Sequence, residues 1–250
     1  MPYLTIDGAS VYHEVQGRGE PLVLLHGGFC SIEAMREFGD ILSRRFTVHS
    51  PERAGHGRTA DHGGPFTYPG MAAETIAYLD AVGLPSAHIV GFSDGGITAL
   101  LLARDHAERV RSLVAISANV DASGYVPPDH PHVTMPADAL ERLHREYAEL
   151  SPDGAEHAAD LLGRLLSLWE AGPAIPLESL GAIAARSLLV VAEHDEITLD
   201  HTEAIAAAIR DATIRIVPGS THMLVAEQPA LVAEHVLAFV DPAPDPAGQR

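Results

Sequence analysis

The stretch of this chain best suited to covalent chemistry places a serine between glycines: Gly91-Phe92-Ser93-Asp94-Gly95-Gly96. The apolar residues before it predict a short buried strand over His88–Phe92, and those after it predict a helix over Gly95–Asp105. Ser93 then lies on a sharp turn where only glycine neighbours leave room for a strained backbone. Such a turn sets the hydroxyl free at the positive end of a helix, which predicts a nucleophile.

A serine hydroxyl is a poor nucleophile near neutral pH and needs a base, which in turn needs a partner to fix its tautomer. Asp195 follows the predicted strand Ser187–Ala192, and His222 follows the predicted strand Thr213–Val217. Because ligands bind beyond the carboxyl ends of parallel strands, we expect both side chains to meet Ser93 there. The sequence therefore predicts Ser93 as nucleophile, His222 as base and Asp195 as its partner. Other acids lie close enough in sequence to keep the carboxylate open: Asp121, Glu193, Glu196 and Asp200.

A tetrahedral intermediate also needs two donors directed at its oxyanion. One is the backbone amide of Asp94, directly after the nucleophile. The second is expected after the predicted strand Leu22–Leu25, where His26-Gly27-Gly28-Phe29 exposes backbone N–H groups. We predict the amide of Gly28, with Phe29 as the next choice. An ordinary glycine turn is the alternative.

The composition restricts the kind of partner. Of 250 residues, 16 are basic and 34 are acidic, giving a formal net charge of −18. This balance argues against nucleic acid and anionic membranes and favours a small-molecule substrate. All the basic residues are arginines, which excludes a lysine Schiff base, a pyridoxal phosphate linkage and a P-loop lysine. The composition makes no prediction about the oligomeric state.

Targeting and cofactor signals are weak. The single cysteine, Cys30, excludes an internal disulfide. The sequence shows neither a secretion signal nor a run of eighteen apolar residues. We therefore expect a cytoplasmic protein. The stretch 129–132 contains two histidines, but its prolines break metal-site geometry. Gly55-His56-Gly57 lacks the later glycine of a dinucleotide site. We predict neither a metal nor a cofactor.

Strands and helices alternate along most of the chain, which predicts a mostly parallel sheet with helices on both faces. Residues 32–45 are predicted to form one helix. The alternation stops over about 118–185, where several prolines precede two helical segments, 137–150 and 155–169. We interpret this stretch as a small helical cap inserted into a single α/β domain over 1–240. The proline-rich residues 241–250 are predicted to be a disordered tail.

Together these motifs resemble the α/β-hydrolase superfamily over nearly the full length. His26-Gly27-Gly28 resembles its oxyanion motif, and Gly91–Gly95 resembles its nucleophile elbow. Asp195 and His222 follow in the family's order. The loop over 51–59 is similar to the family's loop after the fourth strand, with Glu52 where aspartate is usual. The resemblance implies an eight-stranded α/β-hydrolase fold, a serine esterase-like activity, a cap over the active site, and structural roles for His56 and His106.

Asp94 adds a hypothesis about the substrate. Gly-x-Ser-Asp-Gly-Gly resembles valacyclovir hydrolase-like members of the family, which act on amino-acid esters. The resemblance implies that the Asp94 carboxylate holds an ammonium group on the substrate. The alternative is that it joins a polar network and merely shapes the elbow.

Several activities share these motifs. We predict hydrolysis of a small carboxylic ester through an acyl-enzyme, and an amino-acid or amino-bearing ester is one of the substrates left open. The resemblance to haloperoxidase-like members keeps cofactor-free perhydrolysis or haloperoxidation open, and carbon–carbon bond hydrolysis is a further alternative on this fold. A small-ligand receptor on a hydrolase scaffold is the non-catalytic alternative.

Overall fold

The structure is a computed structural model that describes residues 2–127, 130–132 and 134–240. The tail predicted over 241–250 lies outside the described residues. Asp129 of the histidine-containing stretch lies outside them as well.

Eight strands form one sheet. In chain order they are β1 (Tyr3–Ile6), β2 (Ala9–Gly17), β3 (Pro21–Leu25), β4 (Thr47–Pro51), β5 (Ala87–Phe92), β6 (Val110–Ile116), β7 (Arg186–His194) and β8 (Ala212–Thr221). Their spatial order is β1-β2-β4-β3-β5-β6-β7-β8. β2 runs antiparallel to both of its neighbours, and the strands from β4 to β8 are parallel. The prediction of a mostly parallel, eight-stranded α/β sheet is confirmed.

Helices cover the sheet. They are α1 (Arg36–Leu42), α2 (Tyr68–Ala81), α3 (Asp94–Asp105), α4 (Ala139–Leu150), α5 (Ala158–Ala171), α6 (Leu199–Ala208), α7 (Leu224–Glu227) and α8 (Pro229–Val240). The single helix expected over 32–45 is wrong. A 3₁₀ turn over Ile32–Met35 precedes α1, because the backbone of Met35 leaves the helical region (φ −119°, ψ 12°). None of the helices in the described part of the chain has the length and apolar content needed to cross a membrane.

The strands that carry the site are buried on both faces, which explains their continuous apolar runs. Alternate side chains of each strand contribute to two apolar clusters, one on each side of the sheet. In β5, for example, Val90 and Phe92 pack on one side and Ile89 on the other. The parallel strands β3, β5, β6, β7 and β8 are paired in register with their neighbours, so the residues that follow their carboxyl ends meet at one edge of the sheet.

Candidate active site

Ser93 occupies a strained turn between β5 and α3. Its backbone has φ 53° and ψ −119°, outside the region that side chains favour. The turn is possible because its glycines allow close approach. A Cβ on Gly91 would collide with the carbonyl of Gly95, and a Cβ on Gly95 would collide with the carbonyl of Leu25. Ser93 stands as the N-cap of α3 with no capping hydrogen bond from its side chain, so its hydroxyl is free for another partner.

That partner is His222, which follows β8. His222 Nε2 lies 3.1 Å from Ser93 Oγ, and His222 Nδ1 lies 2.7 Å from Asp195 Oδ1. A carboxylate accepts hydrogen bonds, so the tautomer that fits carries its proton on Nδ1 and leaves Nε2 to accept from the serine. The structure therefore joins the three predicted side chains in the order nucleophile, base, carboxylate.

Asp195 is fixed by more than the histidine. Its Oδ2 accepts hydrogen bonds from the Ser117 hydroxyl (2.5 Å) and the Ala192 N–H (3.0 Å), and its Oδ1 accepts from the Ile197 N–H (3.2 Å). Burial alone would raise the pKa of Asp195, but the charge and hydrogen bond of His222, together with these donors, hold it below its usual value.

The competing acids are engaged elsewhere or lie apart from the histidine ring. Glu193 accepts a hydrogen bond from the Gly219 N–H, and Asp121 accepts from Ser123. Glu196 lies near enough to affect the pKa of His222, but it makes no hydrogen bond to the ring within the described residues. The carboxylate partner of His222 is Asp195.

The Asp195 carboxylate also sets the basicity of His222. Burial alone would lower the pKa of this imidazole, but the charge and hydrogen bond of Asp195 raise it to about 9. The carboxylate therefore stabilises the imidazolium that forms when His222 takes a proton.

The segment after β3 faces the nucleophile, and its peptides are held from behind by a buried arginine. Arg53 Nη1 donates to the carbonyl of His26 (2.7 Å), and Nη2 donates to the carbonyl of Gly27 (3.0 Å). The Gly27 carbonyl also lies 2.7 Å from His26 Nδ1. Because a trans peptide is planar, these donors turn the Gly28 N–H to the opposite side. Gly28 and Phe29 both line the cavity that contains Ser93.

The Asp94 carboxylate lies behind this segment. Tyr68 donates its hydroxyl proton to Oδ1 (3.0 Å), and Trp169 Nε1, on α5, lies 3.1 Å from each carboxylate oxygen. Asp94 is 2 % exposed, and burial raises its pKa while the nearby Arg53 charge opposes that rise. A Cβ on Gly28 would collide with Asp94 Oδ2 and lie 2.7 Å from Trp169 Cζ2, so this packing requires glycine at 28.

A cavity of about 380 Å³ opens at Ser93 and His222. Its size falls in the range typical of small-molecule sites. The polar lining residues beside the catalytic candidates include Asn119, Tyr125 and Glu196. The larger part of the wall is apolar: Phe29, Phe92, Met135, Leu140, Leu143, Leu162, Leu166, Trp169, Ile197 and Met223. A second cavity of about 350 Å³ lies between the loop after β4 and α2, away from Ser93 and His222.

The sequence model of a family described as "Alpha/beta hydrolase family" matches residues 22–235, most of the chain. The chain belongs to the alpha/beta hydrolase family. The matched range includes every predicted site residue of this hydrolase.

Curated relatives of this alpha/beta hydrolase include two proteins named putative carbamate hydrolase RutD. The Azorhizobium caulinodans protein is 34 % identical over 126 residues, which cover 50 % of this chain and 48 % of that protein. The chain thus matches about half the length of this relative. The Caulobacter segnis protein is 26 % identical over 275 residues, covering 96 % of this chain and 98 % of that protein.

Among solved structures, the enol-lactonase from Burkholderia xenovorans LB400 has the same fold. It superposes with a TM-score of 0.76 at 22 % identity, covering 95 % of this chain and 99 % of that one. At 22 % identity, this similarity shows that the two proteins share a fold and nothing more.

Sequence reasoning missed four residues that hold the site of this alpha/beta hydrolase together. Arg53 lies in the loop over 51–59 that resembles a family loop, but its burial next to uncharged carbonyls is not visible in the sequence. Ser117 directly follows β6, a position at a strand end that could have marked it. Tyr68 and Trp169 contact Asp94 from distant segments, so no local pattern connects them to it.

Proposed function

We propose that this chain is a serine hydrolase that cleaves small carboxylic esters through an acyl-enzyme. The observation that carries the proposal is the continuous pair of hydrogen-bond contacts from Ser93 Oγ to His222 Nε2 and from His222 Nδ1 to Asp195. Ser93 is the nucleophile, His222 the general base and acid, and Asp195 the group that orients and stabilises the histidine.

Acylation begins when Ser93 Oγ attacks the ester carbonyl while its proton passes to His222 Nε2. The carbonyl oxygen becomes an oxyanion, which accepts hydrogen bonds from the backbone amides of Gly28 and Asp94. The intermediate collapses, the carbon–oxygen bond to the alcohol breaks, and His222 gives its proton to the departing oxygen. The acyl group remains on Ser93.

Deacylation repeats these steps with water. His222 takes a proton from a water molecule as its oxygen attacks the acyl carbonyl. The second tetrahedral intermediate releases the carboxylic acid and returns the proton to Ser93. The net reaction consumes one ester and one water and forms one acid and one alcohol.

The apolar cavity supports an ester with an apolar portion. Its walls suit a hydrocarbon chain, since each buried methylene contributes about 0.8 kcal/mol of binding. Several of these side chains come from α4 and α5, and we propose that the segment over about 118–185 acts as a cap that completes the pocket.

For Asp94, the contacts with Tyr68 and Trp169 support the polar network as the role of the carboxylate. Both of its oxygens accept hydrogen bonds, Oδ2 packs against Gly28, and Asp94 is not among the described residues that line the cavity. We propose that Asp94 contributes its backbone amide to the reaction while its carboxylate supports Gly28.

Asp94→Asn tests this role. We expect kcat/KM to fall for an alanine ester and for the matching propionate ester by the same factor, because the change acts on both through the Gly28 segment. The ratio of the two kcat/KM values should stay within about twofold of wild type. A fivefold or greater selective loss of the amino-acid ester would instead show that the carboxylate holds the substrate's ammonium group.

Labelling with a fluorophosphonate probe tests the nucleophile directly. We expect one equivalent of label, placed on Ser93, since such reagents react with serines activated by a neighbouring base. The chain has no lysine, so trypsin releases residues 59–104 as one peptide that contains Ser93 and Ser86. Fragmentation should assign the label to Ser93, and heat-denatured protein should remain unlabelled. Absence of label on folded protein would favour a receptor.

A further inference from the structure

One side chain gives the cavity wall a charge that is not paired: the positive charge of protonated His222 is balanced by the Asp195 carboxylate beside it. Among the described residues that line the cavity, Glu196 is the only carboxylate, and the lining contains no arginine. Glu196 is half-buried at the carboxyl end of β7. Its side chain makes no hydrogen bond or ion pair with the described part of the chain, whereas the neighbouring Asn119 donates to the carbonyl of Asp121 (2.9 Å).

The position of Glu196 relative to Ser93 indicates which part of a substrate it meets. It directly follows Asp195, whose Oδ1 lies 2.7 Å from His222 Nδ1, and its charge is among those that act on His222. His222 donates its proton to the departing alcohol oxygen, so the alcohol leaves on the histidine side of Ser93. The oxyanion segment around Gly28 occupies another side of the cavity.

We propose that Glu196 selects the alcohol portion of the substrate and favours alcohols that carry a positive charge. This rests on the proposed ester hydrolysis and adds a substrate class to it: esters of amino alcohols or quaternary ammonium alcohols. An acidic side chain that makes no ion pair with the described residues and lines a mostly apolar cavity attracts a cation and repels an anion. The surplus of acidic residues over the whole chain adds to this preference.

A matched pair of substrates isolates the charge. The butyrate ester of choline and 3,3-dimethylbutyl butyrate have nearly the same shape and acyl group and differ by one positive charge on the alcohol. We expect wild-type kcat/KM, measured by acid release, to be about tenfold higher for the choline ester. The preference should shrink as salt is raised, because exposed parts of the interaction are screened.

Glu196→Gln should bring the ratio of the two kcat/KM values close to one. The ratio is the proper readout, since loss of this charge also changes the basicity of His222, and that affects both esters alike. Glu203→Gln, an exposed position on α6, removes one charge far from the cavity and should keep the wild-type ratio.

Three results would overturn the assignment. One is equal turnover of the two esters by wild type, and another is a choline preference that survives in Glu196→Gln. The third is a preference found only when the cation is placed on the acyl group. If wild type hydrolyses neither these esters nor p-nitrophenyl butyrate, ester hydrolysis itself is refuted, which is distinct from loss of charge selection.

Discussion

Replacing Ser93 with alanine is expected to lower kcat for p-nitrophenyl butyrate by about 10⁶-fold, the order of loss typical when the nucleophile of such a triad is removed. Without Oγ, no acyl-enzyme can form, and His222 has no hydroxyl to activate. Residual turnover would come from water attacking a substrate held by the oxyanion donors and the cavity. KM should change little, because the hydroxyl contributes little to binding the apolar portion of the ester.

A matched serine provides the control. Ser167 lies on the exposed face of α5, where its hydroxyl bonds to the Gly163 carbonyl of the same helix. Ser167→Ala should retain wild-type kcat and KM. The far-UV circular dichroism spectrum of Ser93→Ala should match that of wild type. Its unfolding temperature should be equal or higher, because the backbone strain at φ 53° is the same in both proteins and the variant no longer buries part of a hydroxyl. Retention of more than about one per cent of activity in Ser93→Ala would refute the nucleophile assignment.

Much of the site could be predicted because its residues follow strand ends. Ser93, Asp195 and His222 lie just beyond the carboxyl ends of β5, β7 and β8, and parallel strands bring such positions to one edge. The same reasoning could not choose among neighbouring acids. The position of the Asp195 carboxylate depends on donors from Ser117, Ala192 and Ile197. Glu193 lies within β7 and accepts from the Gly219 N–H instead, and neither arrangement is visible in the sequence.

Contacts between segments that are distant along the chain could not be predicted from the sequence. The role of Asp94 depends on Trp169, 75 positions later, and on Tyr68, 26 positions earlier. The motif alone therefore allowed either an ammonium-binding carboxylate or a network member. Arg53 is similar, because its burial against the carbonyls of His26 and Gly27 arises only when the loop after β4 packs behind β3.

Asp195→Asn should lower kcat by about 10⁴-fold, nearly as severe as loss of the nucleophile. An asparagine has one acceptor oxygen and one donor nitrogen. The oxygen is needed where Ser117 and Ala192 donate, which turns the amide N–H₂ toward His222 Nδ1. His222 would then carry its proton on Nε2, the tautomer that cannot accept a proton from Ser93. Asp121→Asn, a change of the same kind at another of the acids considered from the sequence, should keep activity within about twofold.

The pH profile distinguishes a catalytic role of Asp195 from a merely structural one. His222 must be unprotonated to act as base, so the acid limb of kcat/KM follows its pKa in the free enzyme. The Asp195 carboxylate raises that pKa to about 9, so wild-type kcat/KM should climb with pH into this range. Without the carboxylate, burial lowers the pKa of His222, and the residual activity of Asp195→Asn should reach its plateau at lower pH. An unchanged midpoint, measured over pH 5–10 with p-nitrophenyl butyrate, would show that Asp195 does not act on the histidine.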